Sequence, residues 1–168
     1  AVMVVISNNS GAGALERARA AGIETLHVSA ATNGSFDAAD ERIARELSAR
    51  RVDLVVLAGY MKMIGPAMLR DFAGRMINIH PALLPKFGGP GMYGMRVHEA
   101  VLAAGEKESG ATVHVVDGEY DHGGALAQER VPVIPGDTKE TLQKRVLAVE
   151  HRILPAVIQS LAESWEKD

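Results

Sequence analysis

Residues Ile77–Phe87 read INIHPALLPKF, an aliphatic run that carries an amide and an imidazole two positions apart and then meets a proline. Side chains alternate along a strand, so Asn78 and His80 share one face while the two isoleucines face the other way. The run predicts a strand over residues 75–80, and its two prolines stiffen the segment that leaves it. We therefore expect the imidazole to be held at a defined place near the end of a strand.

The chain on both sides of this stretch alternates apolar strands with helices. Short and almost entirely apolar runs such as DLVVLAG at Asp53–Gly59 are typical of strands that are covered on both faces. The pattern predicts an α/β fold with a mostly parallel central sheet and helices on both faces. Pro155 is expected to kink or break the last helix. Strands are predicted at residues 2–6, 24–29, 53–59, 75–80, 112–116 and 125–133, and helices at 14–21, 37–50, 66–72, 96–104 and 137–163.

The composition limits the class of protein. Of the 168 residues, 47% are hydrophobic and 23% charged, and the net charge is −3. These values predict one globular domain over residues 1–168 and give no indication of nucleic acid or a membrane as a partner; small-molecule partners are implied only by the family resemblance described below. The chain has no Cys, which excludes disulfides and thiolate metal sites and is compatible with a cytoplasmic location. A monomer and a homodimer both fit the sequence.

Ligands of open α/β sheets bind beyond the carboxyl ends of the strands. Asn78 and His80 lie at one such end and offer an amide donor and an acid–base group that titrates near neutrality. The alternative is structural, with Asn78 capping a turn and His80 as a satisfied, half-buried histidine. The sequence around the pair leaves both interpretations open.

A second candidate is the acidic loop, residues 116–124, which reads VDGEYDHGG. Its two final glycines allow a close approach to a ligand, so that one carboxylate can lie against a neighbouring imidazole. A solvated acidic turn is the simpler alternative, because turns favour Asp and Gly. A metal site is a third interpretation, but its candidate ligands have a spacing that matches no ligand pattern; they are His114, Asp117, Asp121 and His122.

Two glycine-containing loops are weak candidates for phosphate binding. Ser7–Gly13, SNNSGAG, follows a strand, but Glu16 stands where a dinucleotide motif has its third glycine, and the second strand ends at Ser29 rather than on an acidic residue. Lys86–Gly91, KFGGPG, lacks the Gly-Lys-Ser/Thr order of a P-loop. We expect this second segment to be a flexible rim.

Taken together, the motifs resemble the folate-dependent formyltransferases, in particular the glycinamide ribonucleotide transformylases of purine synthesis. The resemblance rests first on INIHPALLPKF and covers nearly the whole chain. It implies a Rossmann-like formyltransferase fold. Further matching segments follow in the same order: Val5–Asn8, Leu15–Ala18, Ala21–Ile23, Leu57–Lys62, Ser109–His114, Tyr120–Gly123, Val131–Val133 and Glu150–His151.

The resemblance implies transfer of a formyl group from 10-formyltetrahydrofolate, as cosubstrate, to the amine of 5′-phosphoribosylglycinamide, without a metal. By position, Asn78, His80 and Asp121 are the catalytic triplet. Amine attack on a formyl carbon creates a tetrahedral oxyanion and a proton that must leave. Asn78 is expected to donate to the oxygen, His80 to stabilise the charge and assist proton movement, and Asp121 to hold His80 or a water in register.

The resemblance also assigns binding residues. Pro81 and Glu150 are expected to contact the glycinamide substrate, Glu150 through the ribose hydroxyls. Thr112 and His114 are expected to support the catalytic side chains. The folate pocket is expected to be lined by Met61, Lys62, Met63, Ile64, Asn78, Val116, Glu119, Tyr120 and Asp121.

The sequence departs from the family pattern in two ways. The family begins with an additional strand and a Gly-Ser-rich loop that cradles the substrate phosphate, so we expect the chain to be N-terminally incomplete and, as such, to bind the ribonucleotide poorly. His122 stands where glycine or a small polar residue is expected. The glycine-rich loop Lys86–Arg96 is also longer than in some relatives, and the sequence gives it no role.

Other functions remain as alternatives. A 10-formyltetrahydrofolate hydrolase of the same fold shares the Asn, His and Asp, although Pro81 and the Leu15–Ala18 segment favour the transferase. A formyltransferase acting on methionyl-tRNA is disfavoured by the slightly acidic net charge. A non-catalytic nucleotide-binding α/β module accounts for the strand and helix pattern but gives Asn78, His80 and Asp121 no reason to converge.

Overall fold

The computed structural model describes residues 1–165, and this part of the chain contains six strands and six helices. The α/β class is confirmed, and nearly every predicted element is present within a few residues of its predicted bounds. The elements are β1 (Val4–Ser7), α1 (Gly13–Ala20), β2 (Glu24–His27), α2 (Ala30–Asn33), α3 (Phe36–Ala49), β3 (Val55–Leu57), α4 (Pro66–Asp71), β4 (Met76–His80), α5 (Met95–Ala103), β5 (Glu108–Val115), β6 (Ala125–Pro132) and α6 (Lys139–Trp165).

The chain divides into two compact units. Unit 1 contains residues 1–55 and 63–73, and unit 2 contains residues 56–62 and 74–168. The strands form a two-stranded sheet, β1–β2, and a four-stranded sheet in the order β3–β4–β5–β6. The prediction of a single domain over the whole chain stays a prediction.

Unit 1 begins with a strand–helix–strand segment. β1 and β2 are parallel, with Val4 opposite Glu24 and Ser7 opposite His27. Helix α1 buries Leu15 and Ala18, as expected from residues one turn apart. The loop between β1 and α1 hydrogen-bonds to itself, since Asn9 N donates to Ser7 Oγ at 3.1 Å and Gly11 N donates to Asn9 Oδ1 at 3.0 Å.

Helix α2 is absent from the sequence prediction, which treats these residues as a polar loop. Ser29 and Thr32 form a capping box, in which each side chain accepts from the other residue's backbone N–H at 3.2 and 3.0 Å. Such a box satisfies two amide groups that a helix start leaves open. The signal was therefore in the sequence, but a helix of four residues has no apolar periodicity to reveal it.

The second sheet contains both strand directions. β5 is antiparallel to β4 and to β6, whereas the prediction of a mostly parallel sheet rests on runs that are apolar on both faces. The sequence predicts β5 from the alternation of its side chains rather than from an apolar run. Its residues from Ser109 to His114 are all buried, although both of its neighbours are antiparallel. Burial of both faces therefore does not fix the direction of a strand.

Helix α6 continues through Pro155 without interruption, so this proline does not break the helix, and a kink at this position stays a prediction. Proline removes one helical hydrogen bond and costs roughly 3 kcal/mol in a helix interior. A stripe of apolar residues at spacings of three and four offsets this cost by packing, since α6 contacts α5, β5 and β6. The buried residues of the stripe are Leu142, Val146, Val149 and Ile153.

Candidate active site

The register of β4 and β5 fixes which side chains face one another. Asn78 lies opposite His114, and His80 lies opposite Thr112. Directly opposite residues of an antiparallel pair project from the same face of the sheet. Four polar side chains therefore occupy one face of two buried strands, and His80, Thr112 and His114 are each at most 4% exposed.

Asp121 joins these side chains from the acidic loop. Its Oδ1 atom lies 3.4 Å from His80 Nδ1, 3.4 Å from His114 Nε2 and 3.5 Å from Asn78 Nδ2. The predicted proximity of Asp121 and His80 is therefore present. β5 ends beside the start of β4, where Val116 N donates to Met76 O at 2.9 Å, so the loop doubles back over the sheet to bring Asp121 to this cluster.

Hydrogen bonds define the tautomer of His80. Its Nε2 atom lies 2.7 Å from the carbonyl oxygen of Phe87, which can only accept. Nε2 therefore carries the hydrogen, and in the neutral ring the lone pair is on Nδ1, which faces Asp121. Burial lowers the pKa of His80 and outweighs the opposing effects of Asp121 and the Phe87 carbonyl; a charge on His114 lowers it further. His80 is thus a neutral base near pH 7 with a free Nδ1 atom.

His114 orients the amide of Asn78. His114 Nδ1 lies 2.9 Å from the carbonyl oxygen of Val115, so it carries the hydrogen and leaves a lone pair on Nε2. Asn78 Nδ2 lies 3.1 Å from that Nε2 atom and donates to it. This contact requires the NH2 end of the amide, rather than its oxygen, to face the cluster.

Asp121 is an ionised carboxylate in a largely buried position. Burial acts to raise its pKa. A hydrogen bond from His114 when that ring is protonated at Nε2, the hydrogen bond from the backbone of Gly89, and the charge of His80 when that ring is protonated together lower the pKa. Gly89 N donates to Asp121 Oδ2 at 3.0 Å. The backbone of Asp121 is left-handed, with φ of 54°, a conformation that only a well-determined environment maintains in a non-glycine residue.

The glycine-rich loop holds the carboxylate, so it is more than the flexible rim that the sequence predicts. A Cβ atom at Gly88 would lie 2.6 Å from Leu84 Cδ2 and 3.1 Å from Asp121 Cβ. Only glycine permits this approach, and the next residue, Gly89, donates its N–H to the carboxylate. Sequence reasoning missed these contacts because the backbone groups of Phe87 and Gly89 carry no side-chain signal.

Thr112 fixes the segment that leaves β4. Its hydroxyl donates to Ala82 O at 2.7 Å and accepts from Leu84 N at 3.2 Å. Gln128 Nε2, from β6, donates to the same hydroxyl at 2.9 Å and to Leu84 O at 3.1 Å. This network holds the chain directly after His80 and Pro81. Gln128 was absent from the sequence predictions.

The residues predicted for folate binding are spread over three places. Met61 and Lys62 are exposed and belong to unit 2, whereas Met63, also exposed, and half-buried Ile64 belong to unit 1. Val116 is half-buried at the start of the acidic loop, and Glu119 and Tyr120 are exposed at its tip. Their assignment to a folate pocket stays a prediction.

The predicted substrate residues differ in their surroundings. Pro81 is half-buried and follows His80 directly. Glu150 is half-buried on α6, and burial raises the pKa of its carboxyl against the opposing charge of His151. Within residues 1–165 the Glu150 carboxyl has no hydrogen-bond partner. A half-buried carboxyl with a raised pKa and an open acceptor is a reasonable contact for a ligand hydroxyl.

The proposed metal ligands form other contacts. Among the described residues, no group of three or more His, Asp or Glu side chains has the arrangement of a metal site. His114 and Asp121 belong to the cluster around His80, while Asp117 and His122 form a separate, exposed ion pair. No helix within residues 1–165 has the length and apolar character that a membrane span needs.

An amide N–H, a neutral imidazole and a carboxylate that meet on one sheet face can carry out acid–base chemistry at a carbonyl-like carbon. The chain belongs to the formyl transferase family, whose pattern matches residues 1–158. Several similar relatives carry the name phosphoribosylglycinamide formyltransferase. The chloroplastic protein of Vigna unguiculata is 42% identical over 170 residues, which cover 99% of this chain and 54% of that protein. The Escherichia coli (strain K12) protein is 41% identical over 162 residues, covering 96% and 74%.

Solved structures agree with this membership. The crystal structure of glycinamide ribonucleotide transformylase 1 from Symbiobacterium toebii matches with a TM-score of 0.90 and 45% identity, and the match covers 96% of this chain and 74% of that chain. The present chain therefore spans about half the length of the chloroplastic relative and about three quarters of the bacterial ones.

Proposed function

We propose that the chain transfers a formyl group from 10-formyltetrahydrofolate to the primary amine of 5′-phosphoribosylglycinamide, a step of de novo purine synthesis. The observation that carries the proposal is the free Nδ1 atom of His80, 3.4 Å from the ionised carboxylate of Asp121 and beside the amide of Asn78. Family membership and the names of the relatives support the choice of substrates.

His80 accepts the proton that the attacking amine loses. Its Nε2 hydrogen is held by the Phe87 carbonyl, so the proton is taken up at Nδ1. The imidazolium that forms lies next to Asp121, whose negative charge stabilises it in a buried, weakly screened position. The lowered pKa of His80 keeps the ring unprotonated and ready before each reaction.

Asn78 donates to the oxygen of the formyl group as negative charge develops there. Its Nδ2 atom has two hydrogens, one of which contacts His114 at 3.1 Å and the other Asp121 at 3.5 Å. The second contact is too long for a strong hydrogen bond, so the formyl oxygen replaces it at little cost. Removing one such donor from comparable sites lowers kcat about 100- to 1000-fold.

The binding residues complete the proposal. We assign contacts with the pterin to residues 61–64 and, separately, to the acidic loop, and contacts with the ribonucleotide to Pro81 and Glu150. No metal takes part. The location that fits the composition is cytoplasmic, although some relatives are named as chloroplastic, and the active form is a monomer or a homodimer.

The test is to incubate the chain with 10-formyltetrahydrofolate, with and without phosphoribosylglycinamide, and to measure formylated product and free formate. We expect product only when the amine is present. His80→Ala is expected to lower kcat about 100- to 10,000-fold, the range of general acid–base catalysis, and to leave the affinity for a folate analogue within a few-fold. His27→Asn, which changes a histidine of unit 1, is the control. An unchanged rate in His80→Ala contradicts the mechanism.

The same assay distinguishes formyl transfer from the hydrolase alternative. Formate release that is independent of the amine, and that His80→Ala abolishes, assigns the same cluster to hydrolysis. Binding of a folate analogue without any turnover assigns the chain to the non-catalytic alternative.

A further inference from the structure

His122 is the residue of the acidic loop that the family resemblance does not explain. Its side chain is 68% exposed, and its Nδ1 atom lies 2.9 Å from Asp117 Oδ2. The other carboxylate oxygen of Asp117 accepts from Glu119 N at 3.1 Å. Asp117 therefore contacts both Glu119, two residues further along the loop, and the side chain of His122 near the end of the loop.

This contact lies next to Asp121 in the chain. The Asp121 side chain points inward, with 9% exposure, while the His122 side chain points outward. Below them, Val115 N donates to Gly124 O at 3.0 Å and closes the base of the loop. A Cβ at Gly123 would overlap with the backbone carbonyl of Val115, so the base has little freedom. The segment that carries Asp121 is thus held from the inside by the cluster and from the outside by Asp117.

The backbone of Asp121 needs such restraint. Its left-handed conformation, φ 54°, is one that a non-glycine residue keeps only where its surroundings maintain it. Loss of this conformation would rotate the carboxylate away from His80 and from the Gly89 amide. The His122–Asp117 contact opposes this rotation because it fixes the position of the following residue.

We propose that the His122–Asp117 ion pair is a positioning device that holds Asp121 against His80, and that it weakens when His122 loses its proton. The effect on ligand affinity rests on the proposed function, because the acidic loop is assigned there to the folate-binding surface. The effect on loop order does not rest on it.

The charges around His122 determine the pH range in which the His122–Asp117 ion pair is formed. In the described part of the chain, the charged groups that act on His122 are Asp117 and Glu119. The hydrogen bond and charge of Asp117, followed by the charge of Glu119, raise the pKa of His122. The hydrogen bond from His122, followed by the backbone N–H of Glu119, lowers the pKa of Asp117.

The pH dependence of the ion pair follows from the raised pKa of His122 and the lowered pKa of Asp117. The histidine contribution is complete below pH ~6.5, the ordinary pKa of histidine, and is lost as the pH rises through the raised pKa of His122. The carboxylate contribution is complete above pH ~3.9 and is lost as the pH falls through the lowered pKa of Asp117. The ion pair is therefore formed in mildly acidic solution and is lost as the pH rises above the pKa of His122.

The first test measures hydrogen exchange at the Gly89 amide, which donates to Asp121, between pH 6 and pH 9 after correction for the intrinsic rate. We expect His122→Gln to accelerate exchange about two- to fivefold at pH 6.5, in keeping with the small effect of exposed ion pairs. His122→Arg keeps the charge at every pH and is expected to protect Gly89 without the alkaline loss. Arg130→Gln, which breaks the exposed Arg130–Glu108 pair between β5 and β6, is the matched control.

The second test is a titration with a non-transferable folate analogue at the same pH values. We expect wild-type affinity to fall about two- to fivefold as His122 deprotonates, His122→Gln to have the lower affinity throughout, and His122→Arg to stay constant. Equal exchange and equal affinity in wild type and His122→Gln overturn the proposal, and so does an equal change in Arg130→Gln. If exchange depends on His122 but formyl transfer is absent, the positioning role stands and the proposed function fails.

Discussion

An amide side chain has one end that donates and one that accepts, and Asn78 depends on presenting the donor. The imidazole of His114 makes this choice, because its own Nδ1 hydrogen is committed to the Val115 carbonyl at 2.9 Å. The remaining lone pair accepts only from the NH2 end of Asn78. His114 therefore acts through Asn78, and its position directly opposite in the register of β4 and β5 gives it that role.

Gly88 provides a prediction at the same scale. Gly88→Ala places a methyl group 3.1 Å from Asp121 Cβ and 2.6 Å from Leu84 Cδ2. The leucine side chain can rotate away, but the loop must shift to relieve the contact with Asp121. A displacement of about 1 Å at a catalytic group lowers the rate about 100-fold. We expect kcat to fall about 10- to 100-fold, measured with the formyl-transfer assay.

The control for this change is Gly124→Ala. A Cβ at Gly124 meets no atom within 4 Å, and the residue lies at the base of the same loop. Its kcat is expected to stay within twofold of wild type. If Gly88→Ala retains full activity while folding normally, the close approach of the glycine-rich loop is not needed to hold Asp121.

At the scale of the element, helix α4 depends on a carboxylate from α3. Asp40, 5% exposed, accepts from the N–H groups of Gly65, Ala67 and Met68 at 3.0, 2.8 and 3.3 Å. These amide groups are among those that a helix start leaves without internal partners. A negative charge at this end also interacts favourably with the helix dipole. Asp40 thus connects α3 to α4 within unit 1.

Asp40→Ala is expected to destabilise the protein by about 3 kcal/mol, because it leaves three buried N–H groups without their acceptor. At this chain length, a loss of that size lowers Tm by roughly 6–12 °C. Asp40→Asn retains one acceptor oxygen and is expected to have about half the effect. Thermal unfolding followed by circular dichroism measures both. Asp53→Ala, at an exposed position, is the control, and a Tm for Asp40→Ala equal to that control contradicts this role.

The elements also show what the sequence can and cannot predict. The sequence predicts β4 and the shared face of Asn78 and His80 correctly. The apolar run and the alternation of side chains that indicate this strand depend only on neighbouring residues. The direction of β5 is not local, since it depends on which neighbour the strand pairs with. From the sequence, the acidic loop is a candidate because ligands bind beyond the carboxyl ends of parallel strands. The carboxyl ends of β4 and β5 lie at opposite edges of the sheet, because the two strands are antiparallel. Asp121 reaches His80 only because the loop doubles back.

Backbone contacts account for most of what the sequence leaves out of the site. The Phe87 carbonyl fixes the tautomer of His80, and the Gly89 amide binds Asp121. Neither residue has a side chain whose chemistry indicates this role. Two consecutive glycines do indicate a close approach of the backbone, but they cannot say which group approaches.

At the scale of the whole molecule, stability depends on histidines that are buried in their neutral form. His80 and His98 are 4% and 2% exposed. Burial lowers the pKa of each, and in His98 the charge of His80 adds to the effect. Between these lowered values and pH ~6.5 the unfolded chain binds more protons than the folded chain. Stability is therefore complete above pH ~6.5 and is lost as the pH falls, by up to about 1.4 kcal/mol per pH unit for each histidine.

His98→Leu tests this dependence away from the proposed active site. Within residues 1–165 the Nδ1 atom of His98 is buried without a hydrogen-bond partner, so an apolar side chain of similar size is expected to maintain or raise Tm at pH 7.5. From pH 6.5 to pH 5 the Tm of His98→Leu is expected to fall less steeply than that of wild type. Glu150, whose raised pKa acts in the opposite direction, is present in both proteins and does not affect the difference. Lys144→Gln, an exposed change on α6, is expected to keep the wild-type slope, and the same slope in His98→Leu would show that His98 contributes nothing to acid sensitivity.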